Sequence, residues 1–364
     1  MSNASEALEW IAAGRRFEPE ELLHLQGGRF DAAAAARIDT LVLGPHASAA
    51  FPAELQPFVN PALTRRQQYD FSDCLTSPLG RAWAEADPQV LFIENPHARL
   101  VLDANRAPPT GTVHAMAMLR ECFERLRRHQ AGEVLSLAGV DAIRPITFND
   151  EAVLLEPSTP MQWQALAQAH ERSISQGVAV YRSACELALT RLMAARAGRP
   201  LRVISLHDTM GTKMRADGAL VVERPVAAQM PAWVNFGNRG DARGEGAGAD
   251  EPITLDGATT RRVQTAWAQA LGVDAELTGS QFSLNRPYKG AFETIHYGQL
   301  LRSHRGPHSG ALQVELLRER LLGPAATARL QQPGGDWPPV DQALIQGLAQ
   351  RLAEAGRLLR EGDV

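Results

Sequence analysis

The chain carries a series of strand-length apolar runs, each cut off by a turn-forming or polar residue. Ile38 to Leu43 stops at Gly44-Pro45-His46, and Val90 to Ile93 stops before Asn95-Pro96. Arg99-Leu-Val-Leu-Asp103 leads into Asn105-Arg106, and Arg202 to Leu206 leads into His207-Asp208. Further runs occupy Ala232 to Phe236, residues 281–284 and Ala311 to Leu316. Short apolar runs bounded by turn signals read as strands covered on both faces. Helical stretches separate them at about 74–86, 115–131, 161–197, 258–271 and 340–360. This alternation predicts an α/β fold: a mixed, mostly parallel sheet with helices on both faces.

The same reading divides the chain. Residues 1–36, with their alanine run, read as an N-terminal helical extension, 37–330 as the main domain and 331–364 as a C-terminal helix. The proline-containing stretch 107–160 reads as a candidate insertion within that domain, and 237–250 as an exposed, mobile loop. The chain has 364 residues, with 37 basic and 41 acidic side chains giving a net charge of −4. That balance, with no basic block, argues against a nucleic-acid binder, which needs clustered positive charge. No apolar run approaches the roughly 20 residues that span a bilayer. The opening MSNASEALEW has neither a basic nor an apolar leader region, so the cytoplasm is the expected compartment. Cys74, Cys122 and Cys185 are odd in number and far apart, which fits neither a disulfide framework nor a metal clip. Only two of the basic residues are lysines, Lys213 and Lys289.

In open α/β sheets, ligands bind outside the carboxyl ends of the strands. His46, Asn105, Arg106, His207 and Asn238 all follow apolar runs. Two strand-end histidines with an acid nearby are the donor set of a catalytic zinc ion, which takes three protein ligands and keeps one position open. Glu315 sits inside the apolar Leu-Gln-Val-Glu-Leu run, where an unpaired carboxylate is costly to bury. A general base beside an activated water gives it a reason to be there. Gln313 and Glu315 share one face by the period of two.

Taken in order, the motifs are Pro45-His46-Ala-Ser48, Arg99 with Asp103-Ala-Asn105-Arg106, and Leu206-His207-Asp208. They continue with Asn285-Arg-Pro-Tyr-Lys289-Gly290, His296-Tyr-Gly298 and Gln313-Val-Glu315. This succession resembles the N-formylglutamate amidohydrolase family from about residue 40 to 320. The resemblance implies a phosphorylase/hydrolase-like fold, one zinc ion and hydrolysis of a small anionic N-acyl amino acid, with neither nucleic acid nor membrane as partner. By its pattern His46 and His207 are zinc ligands. The third is an acid in Tyr69-Asp70-Phe-Ser-Asp73, either Asp70 or Asp73, with Asp70 slightly favoured.

Arg99 is assigned to the scissile carbonyl oxygen, and Asn105 with Arg106 to the substrate carboxylate, for which guanidinium supplies a bidentate fork. Asp103 orients the arginines. Asn238, Lys289 and His296 are further substrate-binding candidates, with Tyr297 beside His296, and Glu315 is the general base. Three departures stand out. No glycine follows His46; Ser205 stands where an acid precedes the second histidine; Ala291 replaces the second glycine after Lys289. They raise a competing reading, a non-catalytic binding or regulatory protein on the same fold.

Overall fold

The computed structural model describes residues 7–246, 248 and 251–362. Its centre is a seven-stranded sheet: β1 (Leu23–His24), β2 (Thr40–Gly44), β3 (Val90–Glu94), β4 (Arg202–Thr209), β5 (Val234–Gly237), β6 (Phe282–Leu284) and β7 (Gly310–Leu317). The spatial order is β6-β5-β7-β4-β2-β3-β1. Neighbours are parallel except β5 with β7 and β1 with β3, so the sheet is mixed and mostly parallel, as the alternation predicted.

The helices that cover it are α1 (Thr76–Ala86), α2 (Thr112–Gln130), α3 (Pro160–Ser173), α4 (Ala179–Ala195), α5 (Gly257–Ala270), α6 (Phe292–Arg305) and α7 (Gln342–Glu361). Successive strand residues point to opposite faces. Leu41, Leu43, Ile93, Val203 and Ala311 face a core with Leu119 of α2, Leu166 of α3, Leu189 of α4 and Leu301 of α6. Val42, Phe92, Ile204, Leu206 and Val314 face a second core with Trp83 of α1, Trp267 of α5 and Leu352 of α7. Side chains define several helix starts: Asp256 accepts from the Thr259 N–H at 2.8 Å and Asp341 from the Leu344 N–H at 3.0 Å. Among the described residues no helix is long and apolar enough to cross a membrane.

Four local expectations change. Residues 99–103 form turns and not a strand; their apolar side chains are buried without a ladder, with the Val101 carbonyl 3.1 Å from Nδ1 of His170. The predicted helix 161–197 is interrupted by a π-turn at Ile174–Val178. There Gly177 packs on His97, and a Cβ on that glycine would lie 2.4 Å from the ring. The described part of the N-terminal segment is mostly not helical: it holds two short strands and a 3-10 turn before the single helix Ala32–Arg37. Residues 1–6 of that segment, and 247, 249 and 250 of the glycine-rich loop, lie outside the described residues. The start of that loop is folded inward, with Asn238 wholly buried.

The edge strand is tied to β3 through a buried carboxylate. His24 Nε2 on β1 lies 3.0 Å from Glu94 Oε1 on β3, and Ser77 donates to Glu94 Oε2 at 2.7 Å. Burial alone would raise the Glu94 carboxyl, but His24 and Arg81 outweigh it and pull it down to about 2 from 4.5. A depressed folded-state pKa contributes stability that is present above the ordinary value and lost as pH falls through the folded one. Glu94→Gln is therefore expected to lower the unfolding free energy at neutral pH by on the order of 2 kcal/mol. The deficit should shrink between pH 4.5 and about 2 in denaturant titrations.

Candidate metal centre and active-site cavity

On β4 and β7 the face that begins in the first core turns polar toward the carboxyl ends. Val203 is followed on that face by Ser205 and His207, and Ala311 by Gln313 and Glu315. The parallel register pairs Gln313 with Ser205 and Glu315 with His207, so both polar pairs lie side by side. His46 arrives from the turn just beyond β2, which the Asp73 N–H clamps by donating to the His46 carbonyl at 3.0 Å. His46, Asp73 and His207 are each buried.

Their ligand atoms converge. Nδ1 of His46 lies 3.2 Å from Nδ1 of His207, and Oδ2 of Asp73 lies 3.2 Å and 2.8 Å from those two nitrogens. Tetrahedral zinc with bonds of about 2.0–2.1 Å holds its ligand atoms about 3.3 Å apart, close to this spacing. Two imidazoles and one carboxylate also match zinc's preference. The three residues therefore fit a metal ion, with the fourth side facing the cavity.

Their surroundings orient the donors. His46 Nε2 donates to Asp103 Oδ1 at 2.7 Å, which turns Nδ1 toward the centre. Asp73 uses its other oxygen to accept from Arg99 at 2.7 Å. Burial disfavours the Asp73 anion, but Arg99 and His46 hold it well below the usual carboxylate range. Burial and Arg99 disfavour the His46 cation, yet Asp103 and Asp73 raise its pKa; burial lowers that of His207. Glu315 accepts from Gln313 Nε2 at 3.1 Å, and burial, with Asp73 and Asp208 nearby, pushes its carboxyl up to about 8.

These groups open on a cavity of about 430 Å³. Seven cationic side chains line it against three carboxylates, which suits an anionic ligand.

The family model for N-formylglutamate amidohydrolase matches residues 38–321. The chain belongs to the N-formylglutamate amidohydrolase family. One solved structure similar to it is an N-formylglutamate amidohydrolase from Ralstonia eutropha, at 16% identity and a TM-score of 0.51, covering 93% of this chain and 98% of that one. A second is a gene product of Agrobacterium tumefaciens, at 15% identity and a TM-score of 0.49, covering 91% of this chain and 94% of that one. No curated protein matches. Membership in this amidohydrolase family supports hydrolysis of an amide bond, on an α/β fold that the Ralstonia structure shares.

Several expectations about individual residues of this family member change with the geometry. Asp73, and not the favoured Asp70, joins the histidines. Asp70 accepts from Asn149 at 3.1 Å and lies 3.5 Å from Arg318, on the cavity wall. Asn238 does not reach the cavity: its amide nitrogen donates to the carbonyls of Gly244 and Leu255, and its oxygen accepts from Asn285 and Gly240. His296 pairs with Glu186 at 2.8 Å, half exposed and away from the cavity, and Tyr297 is buried in the first core. Asn105 lines the cavity, but its oxygen accepts from the Glu293 N–H at 3.0 Å and its nitrogen lies 3.2 Å from His207 Nε2. Arg106 lines the cavity and pairs with Asp141 at 2.8 Å; Lys289 lines it and pairs with Glu251 at 3.0 Å.

Sequence reasoning missed four cavity or centre residues. Arg318 ties Asp208 to the Ser72 carbonyl beneath Asp73. Lys213 and Arg224 line the cavity, and neither has an ion-pair partner among the described residues. Glu293 lies behind His207. Lys213 carried one signal, since both lysines of a chain that otherwise uses arginine line this one cavity. Asp73→Asn is expected to reduce divalent-metal affinity by more than ~10-fold, and Asp70→Asn to leave it within about twofold, by chelator competition.

Proposed function

We propose that this chain is a metal-dependent amidohydrolase that cleaves the N-formyl group, or a related N-acyl group, from a small anionic amino acid such as N-formylglutamate. The convergence of His46, Asp73 and His207 at the wall of a cation-lined cavity is the observation that carries this reading. Those three residues would hold a divalent ion, zinc by the chemistry of the donors, which would supply a Lewis acid for the formyl carbonyl and lower the pKa of a water.

The remaining work falls to side chains. Glu315, set beside His207 by the register of β7 on β4, accepts the proton of the attacking water. Water adds to the carbonyl carbon, the C–N bond breaks, and Glu315 returns the proton to the departing nitrogen. The products are formate and a free amino acid. Arg99, on the cavity wall with Asp73 holding one end, offers donors to the oxygen on which negative charge develops. Arg106 serves the α-carboxylate. Lys213 and Arg224, which form no ion pair among the described residues, serve a second carboxylate on the substrate side chain.

Having the triad, Glu315 and Arg99 in one cavity favours turnover over the binding-only reading. Glu315→Gln should lower kcat for N-formyl-L-glutamate by ~10²–10⁴ while bound metal stays at the wild-type level. A variant that turns over at the wild-type rate would remove Glu315 from the mechanism. N-formyl-L-leucine, lacking the second carboxylate, should show the lower kcat/KM by at least ~10-fold, the scale of one lost charge-assisted contact.

A further inference from the structure

A hydrogen-bonded chain runs away from the metal centre into the first core. His207 Nε2 lies 3.0 Å from Ser205 Oγ. That hydroxyl donates to Glu293 Oε2 at 2.7 Å, and the other Glu293 oxygen accepts from Tyr181 Oη at 2.6 Å. Ser205, Glu293 and Tyr181 are all buried, with at most 2% of any of them exposed. A carboxylate placed there is costly unless its oxygens are satisfied, and each has a hydroxyl donor. Glu293 lies in the first turn of α6, where the helix end also favours negative charge.

The chemistry of His207 gives this chain its role. The imidazole can bind a metal through Nδ1 only if its proton sits on Nε2. Two groups face Nε2. Asn105 presents its amide nitrogen, because its oxygen is held by the Glu293 N–H; it can only donate, so it offers no acceptor and competes with a proton on Nε2. Ser205 Oγ is the acceptor, and its own proton is directed away to Glu293.

We infer that Glu293, acting through Ser205, is a positioning residue of the metal centre: the pair holds the His207 proton on Nε2 and leaves the Nδ1 lone pair facing His46 and Asp73. Outer partners of this kind fix the tautomer and ring orientation of a ligating histidine. This rests on the proposed metal centre.

The test is a double-mutant cycle read by metal affinity. Wild type, Ser205→Ala, Glu293→Gln and the double variant are stripped of metal and titrated with Zn²⁺ against a chromophoric chelator. Co²⁺ loading reports the ligand field by visible absorption, and melting of the stripped proteins reports the fold. Each single variant should bind Zn²⁺ ~10–100-fold more weakly than wild type and shift the Co²⁺ spectrum. Because Glu293 acts through Ser205, Glu293→Gln should add nothing in the Ser205→Ala background.

Single variants with wild-type affinity and spectrum would overturn the inference, as would fully additive losses. If Ser205→Ala fails to fold, Glu293→Gln, which keeps the side-chain volume, decides by the same affinity and spectrum. A wild-type chain that takes up no metal would overturn the metal centre itself, a result distinguishable from variants that merely match a metal-binding wild type.

Discussion

Everything at this site depends on bringing two imidazoles and a carboxylate, all buried, to within about 3 Å of one another. Such a cluster is unfavourable unless each group is held and compensated from behind. His46 is held by Asp103, Asp73 by Arg99 and His207 by Ser205. The backbone bond from Asp73 to the His46 carbonyl fixes two of the donors as one unit. The cluster therefore reads as a preorganised donor set rather than an accident of packing.

The sheet makes this arrangement possible. Its middle strands send apolar side chains into a core on either face, which anchors them between the two. Near the carboxyl ends one face of β4 and β7 becomes polar, while the other stays apolar through Leu206 and Leu316, with Asp208 beyond Leu206 paired to Arg318. Leu206 and Val314 continue into the second core as His207 and Glu315 turn toward the cavity. Rigid strands thus carry a metal-ligand candidate and the proposed base side by side, and loops carry the groups that meet substrate.

Much of this was legible in the sequence, for identifiable reasons. Buried parallel strands leave apolar runs, and functional residues follow them, so His46 and His207 could be placed at strand ends, and the polar Glu315 stood out within an apolar run. The run at 99–103 misled because burial without a ladder leaves the same apolar signature as a strand. Asp70 and Asp73 lie three residues apart, at and just past the end of the short helix Arg65–Asp70, and local pattern cannot say which faces the histidines. A backbone bond to His46 and the reach of Arg318 from the far end of β7 decide it. Asn238 and His296 had suitable chemistry and sat in recognisable motifs, but a turn buries the first and a helix points the second at Glu186. Glu293 and Arg224 were invisible because their relevance comes from contacts across the fold. The absent acid before His207 is answered from a distant helix, through Ser205, which no local reading reveals.

On the proposed mechanism, a single divalent ion on His46, Asp73 and His207 enables the chain to release formate from an N-formyl amino acid. The most direct measurement titrates Zn²⁺ into the metal-stripped chain while following bound metal and formate released from N-formyl-L-glutamate. The rate should rise in proportion to occupancy and level off at one ion per chain. Full formate release by the stripped chain, or one bound ion with no release, would contradict it.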